Sequence, residues 1–190
     1  MDEINKEIDK CLVVLRAGGM ILYPTDTVWG IGCDATNEKA VDKIFALKRR
    51  DDSKSMIILL DHTARLRGYF NEVPQQAYEI MELSEQPVTL VLSGAKNVAK
   101  NMIAVDGSLG VRIVLDEFCR RLIGRFGKPI VSTSANISGQ QTPVSFSSVS
   151  AEIISGVDHV VSLRQNEATE SKPSTILKMG VGGEIKFIRR

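Results

Sequence analysis

At 190 residues, 43% hydrophobic and 25% charged, the chain carries enough apolar material for one compact core, which excludes a disordered or fibrous protein. A formal net charge of +1 gives no general affinity for nucleic acid or an anionic membrane, so any such affinity must come from local clusters. Three scattered cysteines (Cys11, Cys33, Cys119) and two histidines (His62, His159) supply neither a disulfide framework nor a thiol- or imidazole-based metal site, and buried small hydrophobes are the expected role of the thiols.

The acidic opening MDEINKEIDK lacks the basic and apolar regions of a signal peptide, and no apolar run approaches bilayer length. Both point to a soluble cytoplasmic protein with no membrane association. Ile4, Ile8, Cys11, Leu12 and Leu15 recur at helical spacing, and the glycines at 18 and 19 stop that helix before a short strand, MILY. In the following YPTDTVWGIG, Pro24 keeps Tyr23 extended, and Thr25, Asp26 and Thr27 place short polar groups just past a strand end. Gly30 and Gly32 would let backbone amides approach a ligand closely, although an ordinary polar turn explains the same residues. No phosphate-loop or dinucleotide fingerprint is present.

Asn37 fits a helix cap, with Ala40, Val41, Ile44 and Phe45 on one stripe, and that helix delivers Lys48, Arg49 and Arg50 at its end. The runs at 56–60, 88–93, 109–114, 129–133, 159–163, 174–179 and 184–188 read as strands, with helical patterns at 75–83, 116–126 and 147–155. Interspersed strands and helices predict an α/β layer structure with a mixed sheet. No linker, repeat or composition shift divides the chain, so a single domain over 1–190 is expected.

Arg112 lies inside the apolar run LGVRIV, where a guanidinium must find an acidic partner, reach water from an edge strand or meet an anionic ligand. The segment IVSTSANISGQQTP again leaves a strand into hydroxyls. Ser132, Thr133 and Ser134 can donate to phosphate or carboxylate oxygens, and Asn136 both donates and accepts. No nucleophile elbow surrounds Ser134, which favours binding over covalent chemistry. Ser174 and Thr175 follow Pro173 at a further strand start, and Arg189 closes the last strand.

Six elements in order (YPTDTVWGIG, Lys48-Arg49-Arg50, GVRI, Ser134-Ala135-Asn136, PSTI and IKFIRR) together resemble the YrdC-like family of L-threonylcarbamoyladenylate synthases, in its short single-domain form. The resemblance implies a twisted mixed sheet flanked by helices around a large open positively charged cavity. It implies synthesis of threonylcarbamoyl-AMP and pyrophosphate from L-threonine, bicarbonate and ATP, for modification of tRNA adenosine 37. Carried over by motif, Lys48 and Arg50 are the catalytic, phosphate-facing cations. Thr27, Arg112, Ser132 and Ser174 contact threonine. Lys54, Ser108, Ser134, Asn136, Thr142 and Arg189 join Lys48 and Arg50 on the nucleotide side. Mg2+ is expected with ATP, bound mainly through phosphate oxygens and water. A threonylcarbamoyl-transferase complex would accept the adenylate, and tRNA or double-stranded RNA is a further partner. Asp51, Lys54, Ser55 and Val114 depart from the family's usual residues, which leaves open an RNA-binding module or a catalytically divergent nucleotide-binding paralogue.

Overall fold

The computed structural model describes residues 2–49, 56–167 and 173–189. Among them the helices are α1 (Glu3–Arg16), α2 (Glu38–Lys48), α3 (Leu66–Tyr69), α4 (Gln75–Leu83), α5 (Glu117–Phe126) and α6 (Ala151–Gly156). The strands are β1 (Ile21–Tyr23), β2 (Gly30–Gly32), β3 (Ile57–Leu60), β4 (Val88–Leu92), β5 (Leu109–Ile113), β6 (Ile130–Ser134), β7 (His159–Val160), β8 (Thr175–Met179) and β9 (Ile185–Arg189). The strands form one mixed sheet in the order β7-β1-β2-β6-β3-β5-β4-β8-β9, an α/β architecture as the sequence predicts.

Local chemistry fixes the helix ends. Asp2, Asn37, Asp116 and Ser150 each accept a backbone N–H of the first turn of α1, α2, α5 and α6, satisfying donors that have no partner inside the helix. The predicted stripe of α2 is realised, with Ala40, Val41 and Ile44 buried. All three cysteines are free and buried.

Strand register sorts side chains between two faces, because alternate residues point to opposite sides. One face carries Leu22, Ile31, Ile58, Leu60, Leu90, Leu92, Val111, Val131 and Leu177, and packs with α2, α4 and α6 into the larger core. On the other face Ile21, Tyr23, Leu59 and Ile130 meet Ile8, Cys11, Leu12 and Leu15 of α1 and Phe118, Cys119, Leu122 and Ile123 of α5.

That second face changes character along its strands. Leu59 and Ile130 lie under the two helices, but Arg112 and Thr89 stand opposite each other on β5 and β4, and Ser132 stands opposite Ile57. Gly30 pairs with Ser134, and Ile176 with Arg189. Parity therefore places Gly30, Ser132, Ser134, Gly110, Arg112 and Thr89 on one side of the sheet, and a register shift between β8 and β9 sets Arg189 opposite Ile176 of the same side. Apolar cover gives way there to hydroxyls, glycines and guanidinium groups.

Candidate amino-acid and nucleotide site

Arg112 is the centre of this polar region. It sits on an interior strand between β3 and β4, only 3% exposed, which rules out the water-facing edge reading. Its Nη1 donates to Thr27 Oγ1 (3.0 Å) and its Nη2 to Thr25 Oγ1 (3.5 Å). The same Nη2 lies 3.1 Å from Asp26 Oδ1 in an ion pair with both side chains buried. A buried guanidinium without such a carboxylate would be prohibitively costly, so Asp26 makes the placement possible. Arg112 Nε, also buried, has no hydrogen-bond partner among the described residues.

The loop between β1 and β2 is shaped by its own hydroxyls. Thr25 Oγ1 accepts the Thr27 amide (3.1 Å), donates to the Val28 carbonyl (2.8 Å) and lies 3.0 Å from Thr27 Oγ1. Such short-range side-chain bonds turn the chain without secondary structure. Asp26 Oδ2 accepts the Leu115 amide (3.0 Å), tying the loop to the end of β5.

On the β8–β9 side, Ser174 Oγ is 2.8 Å from Thr89 Oγ1, and the Ser174 carbonyl accepts from Arg189 Nη2 (2.9 Å) and Nε (3.3 Å). Burial, and then the positive charge of Arg112, hold the Arg189 guanidinium below its ordinary pKa. An anion bound near Arg189 would offset that positive charge.

Of the residues expected on the nucleotide side, Ser134 ends β6, and Asn136 and Thr142 lie in the loop that follows. Lys48, 1% exposed at the end of α2, donates through Nζ to the carbonyls of Ser134 (2.5 Å) and Asn136 (2.5 Å), and its own carbonyl accepts the Ser138 amide (3.0 Å). In this arrangement its ammonium shapes the Ser134–Asn136 turn. Asn136 Nδ2 donates to the carbonyls of Ile137 (2.9 Å) and Gln140 (2.8 Å), while its buried Oδ1 has no partner among the described residues. Thr142 follows, half-buried, in the same loop. Ser132 is buried beside Gly30, next to Tyr23, whose hydroxyl donates to the Val131 carbonyl (3.1 Å). Ser108 immediately precedes β5 and donates to Asp106 Oδ1 (2.6 Å), and the other oxygen of Asp106 pairs with Lys178 (2.8 Å).

Arg50 and Lys54, and with them Asp51, Asp52 and Ser55, lie outside the described residues. Sequence reasoning did not single out Thr89 as a site residue, because an alternating polar residue on a strand reads as a water-facing one. It noted Asp26 only as a short polar side chain, although the two threonines flanking it are the signal that its loop is built by hydroxyls. Among the described residues no group of three or more His, Cys, Asp or Glu side chains is placed to hold a metal ion, and Asp26 is engaged by Arg112 and Leu115.

Comparisons with known proteins identify the family and the fold. The Sua5/YciO/YrdC family model, described as telomere recombination, matches residues 13–190. A threonylcarbamoyl-AMP synthase of Pseudoalteromonas translucida is 32% identical over 181 residues, spanning 94% of this chain and 95% of that protein. The crystal structure of P. abyssi Sua5 complexed with L-threonine superposes with a TM-score of 0.82 at 27% identity, over 94% of this chain. It covers 52% of that longer protein, so this chain corresponds to about half of it. E. coli YciO shares the fold, with a TM-score of 0.82 at 21% identity over 97% of this chain and 89% of its own. With the family match covering nearly the whole sequence, the chain belongs to the Sua5/YciO/YrdC family.

Proposed function

We propose that the chain is an L-threonylcarbamoyladenylate synthase, forming threonylcarbamoyl-AMP, pyrophosphate and water from L-threonine, bicarbonate and ATP. The observation that carries this reading is the buried Arg112 on the polar side of the sheet, bonded to Thr27 of the β1–β2 loop, with Thr89 opposite it bonded to Ser174, whose carbonyl accepts from Arg189. Curated relatives of matching length bear the same activity in their names.

In this reading Arg112 holds the threonine carboxylate, for which a planar fork is well shaped. Thr27, Ser132 and Ser174 supply hydroxyls around the amino acid. Ser134, Asn136 and Thr142 with Arg189 face the nucleotide, Arg50 supplies positive charge beside the phosphates, and the buried Lys48 acts through the Ser134–Asn136 turn that its ammonium holds rather than by facing the phosphates itself. Ser108 and Lys54 complete the nucleotide side, within an open positive cavity above the polar half of the sheet. The threonine amine takes up carbon from bicarbonate with loss of water. The carbamate oxygen then attacks the α-phosphorus, the bond to the β-phosphate bridging oxygen breaks, and pyrophosphate leaves with that electron pair. Magnesium entering with ATP neutralises triphosphate charge. Phosphoryl transfer of this kind needs positioning and charge neutralisation more than a covalent nucleophile, and hydroxyls with guanidinium groups meet that need.

The product is a mixed anhydride of a carbamate and a phosphate, reactive towards water, which explains why a threonylcarbamoyl-transferase complex acting on tRNA in the cytoplasm would receive it directly. Among the described residues no helix is long and apolar enough to cross a membrane. Pyrophosphate release by purified protein should require L-threonine and bicarbonate together with ATP and magnesium. Release that is independent of threonine, or none, would overturn the assignment.

A further inference from the structure

We infer that Arg164 is a positioning residue: it holds the loop 24–27, and through it the Arg112 fork, in the geometry that receives the amino-acid substrate. The inference rests on the synthase reading and deepens it.

Three successive residues of this loop are each tied to neighbouring structure. Pro24 O accepts from Cys119 Sγ (3.3 Å), Thr25 O from Arg164 Nη1 (3.3 Å), and Asp26 Oδ2 from the Leu115 amide (3.0 Å). Two of these ties come from the end of β5 and the start of α5. Arg164 alone reaches in from the segment after β7, which is remote in sequence. Its Nη1 also donates to Asp116 Oδ2 (2.8 Å), and the other oxygen of Asp116 caps α5 through the Cys119 amide (2.8 Å). Its Nε donates to Glu167 Oε2 (2.7 Å). One guanidinium therefore joins a helix cap, a turn and the substrate loop.

Two further observations support a functional role. Arg164 has φ +62°, a left-handed conformation that a non-glycine residue adopts at a cost and keeps when its surroundings over-determine it. Burial draws its pKa down, but the bond to Glu167 and the charges of Asp116 and Glu167 more than offset that, so the side chain stays cationic. The position matters because Thr25 is shared: its carbonyl is held by Arg164 while its hydroxyl meets Arg112 Nη2. Loosening Thr25 loosens Asp26 and Thr27, the other partners of Arg112. The Ser134–Asn136 turn is held separately by Lys48, so the nucleotide side should be insulated.

The test uses the full chain with Arg164→Ala and, as a milder variant that keeps a hydrogen-bonding side chain without the charge, Arg164→Gln. Each is measured for the KM of L-threonine, the KM of ATP, and hydrogen exchange over residues 23–29. The inference expects KM for threonine to rise roughly tenfold in Arg164→Ala, on the scale of one lost charged contact, and severalfold in Arg164→Gln. KM for ATP should stay within about twofold, with faster exchange confined to the loop. Equal rises in both KM values, or unchanged threonine KM with unchanged exchange in the Gln variant, would overturn it. Should the wild-type protein make no adenylate, the synthase reading fails by itself. The exchange comparison then decides the role of Arg164: faster loop exchange supports it, and unchanged exchange overturns it.

Discussion

Arg112 Nη1 lies 3.0 Å from Thr27 Oγ1, although 85 positions separate the two residues in the chain. The contact exists because β5 lies inside the sheet and the β1–β2 loop folds over its end, bringing Asp26 to the same guanidinium. Removing Arg112 should therefore have two separable effects. Arg112→Met leaves Asp26 buried without its counter-charge and should cost about 3–5 kcal/mol of stability, measured by urea unfolding. Adding Asp26→Asn should restore much of that loss. Activity should remain at least about 100-fold down in both variants, since one transition-state contact of this kind contributes about 3 kcal/mol.

Two glycines of β2 should respond differently to alanine. A Cβ at Gly32 would stand 2.5 Å from the Val131 carbonyl and 2.7 Å from the Tyr23 ring, so Gly32→Ala should destabilise the fold by about 1–3 kcal/mol. At Gly30 the nearest atoms are Ser132 Oγ and the Thr133 carbonyl, both at 3.4 Å, which the fold can accommodate. That methyl lies on the polar face beside Ser132. Gly30→Ala should keep a near-normal melting temperature while substrate affinity falls, a contrast read by thermal denaturation alongside kinetics.

Burial, and then the charge of Arg112, lower the pKa of Arg189, so a polyanion should stabilise the protein. ATP at about 100 times its Kd should add about 2.7 kcal/mol, seen as a rise in Tm. Arg189→Ala should weaken ATP binding by roughly tenfold, the scale of one charge-assisted bond, with a smaller effect on threonine. Titration calorimetry with each ligand alone checks the difference.

Glu7 makes a prediction about pH that does not involve the site. Burial raises its pKa, but bonds to His159 Nε2 (2.6 Å), to the Ser162 hydroxyl (2.9 Å) and amide (3.2 Å), and to Lys10 (3.2 Å) outweigh this and leave it lowered. A carboxyl whose folded pKa lies below its unfolded value adds stability above the unfolded value, and that stability is lost as pH falls through the folded one. Stability should therefore decline from about pH 4.5 downward. Glu7→Gln should be less stable near neutrality and show a shallower decline on the acid side, as followed by urea midpoints across pH.

Much of the fold could be read from local pattern. The α4 boundaries match the predicted helix residue for residue, and the Asn37 cap and the α2 stripe follow directly from their sequence. The strand at β2 was missed because Gly-Ile-Gly has little strand preference of its own. Its glycines answer to tertiary neighbours, above all Tyr23 and Val131, which leave no room for a Cβ at Gly32. The helix expected at 147–155 begins only at Ala151, since the hydroxyls of Ser145, Ser147 and Ser148 bond one another and Ser150 provides the cap. The expected strand at 159–163 is reduced to His159–Val160.

The site divides in the same way. Motif order pointed to Thr27, Arg112 and Ser174 as a group, but their convergence depends on strand order and register, which no single segment encodes. Asp26 and Arg164 were beyond local reasoning for a related reason. A carboxylate in a turn and an arginine in a loop look solvated until the fold supplies Arg112 to one and Asp116 to the other.

The most direct test is mass spectrometry of the nucleotide products after brief incubation with L-threonine, ATP, magnesium and 13C-bicarbonate. A threonylcarbamoyl-adenylate one mass unit heavier than its unlabelled counterpart, and absent with Arg112→Met, is the expected result. ATP turned over with no labelled adenylate, or a labelled product unaffected by loss of Arg112, would contradict the assignment of this sheet face as the reaction site.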